Sequence, residues 1–262
     1  MRRPLMWALG RFGRMGMKMR RWMIITAIVL FSVSCAAKKG FNRGEMESAL
    51  RAGSPTFVSS GLTVEQIERL QPQISLPVKL AVAPPMVSTR YWGYGRDLSS
   101  WSPEESKEIA GWEEPLKKAG VISELNIIPS MLVEECRPDD PGCGLRARRA
   151  AAARVQADAL LMTSVVTAVD EYTNAASMLD ITVVGLWVAP GHECDALTIV
   201  EGAMLDNRNE YLYAFARGEA EQHLIRPLMY ADTWKAARPS RFEALRAFGR
   251  EFIKQASQLK SK

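Results

Sequence analysis

Residues 157–168, ADALLMTSVVTA, are the most apolar run in the chain beyond its first 35 residues, and they restrict what it can fold into. A run of this kind reads as a central strand buried on both sides. Buried strands that alternate with helices imply parallel pairing, with helices packed on the sheet to cover it. The expected fold class is therefore α/β.

The flanking residues supply that alternation. Residues 76–84, LPVKLAVAP, predict a strand: Val78, Leu80 and Val82 alternate with Lys79, Ala81 and Ala83, and Pro84 and Pro85 stop it. Residues 102–119 predict a helix with Ser102 as N-cap, Pro103 in the first turn, and Glu104 and Glu105 facing the positive end of its dipole. Ile109, Trp112, Leu116 and Ala119 form its apolar stripe, and Gly120 ends it. Residues 124–129 read as a second strand and 144–156 as a helix carrying Arg146, Arg148, Arg149 and Arg154, either a solvated face or an anion site. Beyond the central strand, residues 179–188 and 195–205 read as two more strands. Residues 206–209, DNRN, form a tight turn into a hairpin partner at 211–221. A last helix starts at Ser240, with Phe242, Leu245, Phe248, Phe252, Ala256 and Leu259 at spacings of three and four. That stripe is expected to pack along the sheet, with partner binding as the sharper reading.

The first 35 residues follow a different rule. Lys18, Arg20 and Arg21 precede an uncharged stretch, WMIITAIVLFSVSC, at residues 22–35, too short to span a bilayer comfortably and without a basic stop-transfer flank. It reads as an export signal. Ser32, Val33, Ser34 and Cys35, then Ala36 and Ala37, resemble a bacterial lipoprotein signal, although Ser32 stands where that class usually has Leu. The resemblance implies diacylglycerol on the Cys35 thiol, cleavage just before it, and a further acyl chain, often palmitate, on the new amino terminus. Two or three chains anchor stably where one holds only marginally. A plain membrane anchor, or a non-lipidated signal with a chance cysteine, is the other reading. Ala36 resembles the outer-membrane sorting class if the organism is diderm. Met17 and Met19 are alternative starts to Met1, and a start at Met17 leaves a signal of ordinary length.

The signal also accounts for the charge. The net charge is +5, but residues 1–35 hold seven of the 34 Lys and Arg and no acid, which leaves 27 basic against 29 acidic residues, or −2. A nucleic-acid partner is not expected. Residues 36–74, rich in Lys, Gly, Ser and Asn at their start, read as a flexible tether with short helices, one of them capped by Thr63. Residues 75–262 are expected to form a single α/β domain.

The order of these elements resembles the amino-terminal domain of TolB and the curli secretion lipoprotein group. The resemblance rests on VKLAVAPP (78–85), RRAAAARVQADALLM (148–162) and IVEGAMLDNRNEYLYAFARGEAE (199–221), and these blocks are similar more narrowly to the rhombotarget lipoproteins. It implies a mixed sheet with helices on it and a C-terminal helix, in a periplasmic lipoprotein. The chain departs from that pattern in two insertions and lacks long hairpins suited to a membrane pore, so pore activity is not carried over.

The two insertions are a glycine-rich aromatic loop with Tyr91, Trp92 and Tyr94, and the segment between Cys136 and Cys143. Exposed, the aromatic loop is a partner-binding surface; buried, it folds onto its own domain. Cys136 and Cys143 flank RPDDPG, which must turn, so a stapling disulfide is expected in an oxidising compartment. A metal or redox pair is the alternative, although the spacing matches no zinc or thioredoxin pattern. Cys194 is left over, to stay reduced or to compete for that pair, and His192 lies two residues away.

There are two histidines in all and no HExxH, GxSxG or P-loop. A non-catalytic binding or assembly component of the cell envelope is therefore expected, held at the membrane by its lipid and meeting an envelope protein through the aromatic loop and an exposed sheet edge. It needs no cofactor and no metal. The alternative is a small-ligand or hydrolytic domain with a pocket near Cys194 and His192.

Overall fold

Every residue from Ala159 to Ala168 is buried in the computed structural model, which describes residues 38–53, 63–87, 100–136, 142–230, 232 and 234–261. The apolar run is the start of a 15-residue strand, β4 (Ala159–Thr173). It sits at the centre of a sheet ordered β3-β1-β4-β5-β6, with β1 (Val78–Val82), β3 (Ile122–Ile127), β5 (His192–Asp206) and β6 (Leu212–Arg226). The short β2 (Met86–Val87) also pairs with β4. β1 runs parallel to both β3 and β4, with Leu80 opposite Ala159 and Val82 opposite Leu161. β5 and β6 are sheet neighbours joined by a short turn, which only antiparallel strands can use, so the sheet is mixed.

The helices are α1 (Arg43–Gly53), α2 (Val64–Glu68), α3 (Pro103–Ala110), α4 (Glu113–Lys118), α5 (Cys143–Arg154), α6 (Val183–Val188) and α7 (Trp234–Ser257). Alternate side chains of β4 face two cores. Leu161 and Val165 pack with Leu80, Val200, Trp112, Phe248 and Phe252 under α3, α4 and α7. On the opposite face Leu160 and Met162 pack with Leu145 and Ala151 of α5, while Val166 and Ala168 meet Met46, Ala49 and Leu50 of α1.

Several expectations are refined by these contacts. The expected helix at 102–119 is two helices, because Gly111 and Trp112 interrupt it, although Ser102 makes the predicted cap and exchanges hydrogen bonds with Glu105. α1 falls in the stretch read as tether, yet Met46, Ala49 and Leu50, at spacings of three and four, are buried against the sheet. α7 begins at Trp234 rather than at Ser240. Ser240 is not a cap: its buried hydroxyl lies 2.8 Å from the Ala220 carbonyl oxygen and 3.0 Å from Thr198 Oγ1, which in turn lies 2.9 Å from Thr167 Oγ1. Three hydroxyls buried between α7 and the sheet thus satisfy one another, as buried polar groups must.

The chain divides into two units. The larger comprises Gly40–Asp170, Asp195–Leu224 and Asp232–Lys262 and holds both cores. The smaller comprises Glu171–Cys194 and Ile225–Ala231, with the described residues Lys38 and Lys39. Here the structure corrects the sequence reading outright. Residues expected to be a strand at 179–188 form a 3-10 helix (Ala175–Ile181) and α6. The β-branched Val183 and Val184 favour a strand, but local hydrogen bonds outweigh them. Asn174 Oδ1 accepts from Ala176 N at 2.8 Å, and Thr182 Oγ1 accepts from Gly185 N at 2.8 Å. Gly185 makes the fold of this segment possible, since a Cβ there would stand 1.7 Å from the Leu179 carbonyl oxygen.

Candidate functional site

On the α1 and α5 face of the larger unit, the sheet between those helices is left open as an apolar groove of about 500 Å³. Met86, Met162, Ala203, Leu205 and Phe215 line it, and Ile67 and Leu70, in and just after α2, stand at its rim. A concave, mostly apolar surface of this volume is typical of binding sites. Phe215 is the element that gives it shape. In β6 the odd positions from Phe215 to Glu221 point outward, and Phe215 is 68 % exposed although its neighbours Ala214 and Ala216 are buried.

Two polar features orient anything that binds here. Ser164 lines the groove, is 3 % exposed, and its Oγ has no hydrogen-bond partner among the described residues. A buried hydroxyl without a partner costs about 1–3 kcal/mol, which a ligand's donor or acceptor would recover. At the rim Arg217 pairs with Glu201 at 3.0 Å and with Glu47 at 3.5 Å. Glu219, two residues along, pairs with Arg43 at 2.8 Å, and this hydrogen bond holds its carboxyl below the ordinary range. The rim is therefore charged but locally neutralised, and the floor is apolar.

The end of the groove at Glu210 is fixed by the β5–β6 turn. Asp206 is fully buried, and its carboxylate accepts from Gln73 N at 3.0 Å, from Arg208 N at 2.9 Å and from the Tyr213 hydroxyl at 3.0 Å. Burial, and then this hydrogen bond, push the Tyr213 phenol above its ordinary range. Arg149 of α5 clamps the same turn, donating to the carbonyl oxygens of Asn207 and Arg208 at 2.8 Å and pairing with Glu210. Arg148 donates to the carbonyl oxygens of Pro84 and Gly144, and burial pulls its guanidinium below the usual arginine range. These two arginines of the predicted cluster hold backbone rather than a solvated face. Replacing Asp206 with Ala orphans three donors, two of them backbone N–H groups, and is expected to cost about 2–3 kcal/mol in urea-induced unfolding.

The residues singled out in the sequence fall elsewhere. Cys35, Tyr91, Trp92 and Tyr94 lie outside the described residues. Cys136 and Cys143 form a disulfide, with their Cα atoms 5.6 Å apart. Cys194 is half-buried on β5. His192, on the same strand, pairs through Nε2 with Asp180 Oδ2 at 2.8 Å, and neither His192 nor Cys194 lines the groove. Among the described residues no three His, Cys, Asp or Glu side chains are grouped so as to hold a metal ion. The groove went unnoticed in the sequence because its lining comes from five separate stretches. One signal was present: Leu212, Tyr213, Ala214, Phe215 and Ala216 are apolar in succession, which puts an apolar side chain on each face of a strand.

No protein-family model matches the chain, and no curated protein matches it. Among solved structures, it is similar to a dodecamer of a PelC point variant from Paraburkholderia phytofirmans at 12 % identity, covering 72 % of this chain and 96 % of that one with a TM-score of 0.27. It is similar to lipoprotein GNA1162 from Neisseria meningitidis at 15 % identity, covering 56 % and 84 % with a TM-score of 0.28. It is also similar to the LpoB C-terminal domain from Salmonella enterica at 12 % identity, covering 65 % and 96 % with a TM-score of 0.29. At such scores the likeness carries no functional weight, and the α/β class stands on the sheet itself.

Proposed function

We propose that this chain is a lipid-anchored protein of the bacterial cell envelope that binds rather than converts, and that its groove beside β6 seats an extended apolar segment of an envelope protein. Phe215 carries the reading. A large aromatic side chain left exposed over an apolar floor forgoes hydrophobic free energy that a partner covering it would recover, which is how binding hot spots behave. An extended segment fits better than a compact molecule because β6 is the terminal strand of the sheet. A partner strand added there would gain main-chain hydrogen bonds from the edge and place alternate side chains over the groove. The charges at Arg217, Glu219 and Glu221 guard the same edge against indiscriminate pairing.

The membrane side of the proposal rests on the lipoprotein-like signal ending at Cys35, with Ala36 favouring an outer-membrane, periplasm-facing position in a diderm host. No helix among the described residues is long and apolar enough to cross a membrane. Tyr91, Trp92 and Tyr94 follow β2, whose Met86 lines the groove, so they remain part of the proposed binding surface.

A photo-reactive amino acid in place of Phe215, in the full-length protein within intact envelopes, tests this reading. A discrete protein adduct is expected at position 215 and none at Arg250, an exposed position of α7. Equal labelling at both positions, or none at 215, would contradict it. Phe215→Arg is expected to weaken capture of the cross-linked partner by about thirtyfold or more while changing stability by less than about 0.5 kcal/mol.

A further inference from the structure

The smaller unit is unusual for its surface. Between Met178 and Pro190 the only ionisable side chain is Asp180, and His192 engages it. The apolar residues around it do not form an interior. Ile181 is 69 % exposed, Val183 77 % and Val184 70 %, and Trp187 and Val188 are exposed beside them. The loop after β6 adds Leu228, Met229 and Tyr230 to the same unit, all exposed, with Tyr230 edge-to-face on Trp187 at a centroid distance of 5.9 Å. Contiguous apolar surface of this kind marks an interaction site in a folded protein.

The geometry points to a lipid bilayer as its occupant: we propose that Ile181, Val183, Val184, Trp187 and Val188 form a cap that inserts into the interface of the membrane holding Cys35. The inference deepens the proposed function and rests on the reading of Cys35 as lipidated. Where the chain enters the structure decides between lipid and protein. The described chain begins at Lys38, three residues after Cys35, and Lys38 belongs to this unit, its ammonium lying 5.6 Å from the centre of the Tyr172 ring. Three extended residues span about 10 Å, so acyl chains on Cys35 would enter the bilayer close to the unit that carries the cap. Asn174, two residues beyond Tyr172, caps the 3-10 helix that leads into the cap, which ties the point of entry to the apolar surface through a short, hydrogen-bonded path.

The chemistry agrees. Trp and Tyr are the side chains enriched where hydrocarbon meets headgroups, and Trp187 and Tyr230 form an adjoining pair here. Asp180, which would be costly near hydrocarbon, is 15 % exposed in its side chain and bonded to His192 at 2.8 Å. Acyl chains alone would leave the domain free to tumble on its link. A second apolar contact beside them fixes which way this unit faces.

Because two or more acyl chains already retain a protein at the membrane, loss of the cap need not release it, and the test must read local contact. A photo-reactive amino acid is placed at Val184, and separately at Arg250, in the full-length protein in its native membranes. After illumination the peptides carrying each position are analysed by mass spectrometry. A phospholipid adduct at 184, at least about tenfold more abundant than at 250, is expected for an apolar face held in the interface. A protein adduct at 184, or lipid labelling no greater than at 250, overturns the proposal. The same digest reads Cys35. An acylated Cys35 without lipid at 184 sinks the cap and spares the anchor, whereas lipid at 184 with an unmodified Cys35 sinks the anchor and upholds the cap's membrane contact.

Discussion

Glu105→Ala is expected to destabilise the domain by about 3–5 kcal/mol, because it breaks a buried ion pair. Glu105 of α3 and Arg241 of α7 meet with Nε 2.6 Å from Oε1 and Nη2 3.2 Å from Oε2, and their side chains are only 7 % and 6 % exposed. Arg241 also donates to the Ser100 carbonyl oxygen at 3.4 Å and stands 5.9 Å from the centre of the Trp101 ring. Glu105 also accepts from Ser102 N at 2.8 Å, so its loss opens the start of α3 as well. Removing both charges together, as in Glu105→Leu with Arg241→Met, is expected to recover most of the loss, since replacing a buried pair by apolar side chains costs less than breaking it. Arg238 and Glu104 join the same two helices at 2.7 Å with more than half of each side chain exposed, and Glu104→Ala should leave the urea midpoint unchanged. A midpoint that moves equally for Glu104 and Glu105 would show that burial is not the cause.

Phe248→Ala is expected to cost a comparable amount, about 3–5 kcal/mol, through the cavity it leaves. Phe248 is fully buried, stacked on Phe252 at a centroid distance of 5.9 Å with the rings 3° from parallel, and tilted against Trp112 at 5.9 Å. The surroundings are poorly placed to collapse into the space. α7 already rests on β6 at Gly218, where a Cβ would lie 2.2 Å from Phe248 N and 2.4 Å from the Ala244 carbonyl oxygen, so backbone meets backbone and neither can move closer. Phe248→Leu keeps much of the volume and should lose roughly half as much or less. Equilibrium denaturation of the two variants, compared in order, checks the prediction; equal losses would mean that ring shape rather than volume holds α7 in place.

The fold was legible where burial left the sequence no choice. The run at 157–168 is apolar throughout because β4 is covered on both faces, and the stripe from Phe242 to Ala256 repeats at three and four because α7 lies along the sheet. Ser102 was readable because a capping box is a local device. Residues 179–188 were misread for a related reason: two adjacent valines suggest a strand, while the side chains of Asn174 and Thr182 and the missing Cβ of Gly185 decide for helix, and their effect shows only in the folded turns. The groove was hidden because Met86, Met162, Leu205 and Phe215 meet only through the sheet order, which places β4, β5 and β6 side by side. Cys136 and Cys143 needed no such distant information, since they lie only seven residues apart in the sequence.

The account depends most on attachment to a membrane through Cys35, and incorporation of labelled palmitate into the wild-type protein and into Cys35→Ser tests that most directly. The account predicts label in the wild type and none in the variant. Label in neither protein, or in both, would contradict a lipid anchor at this cysteine.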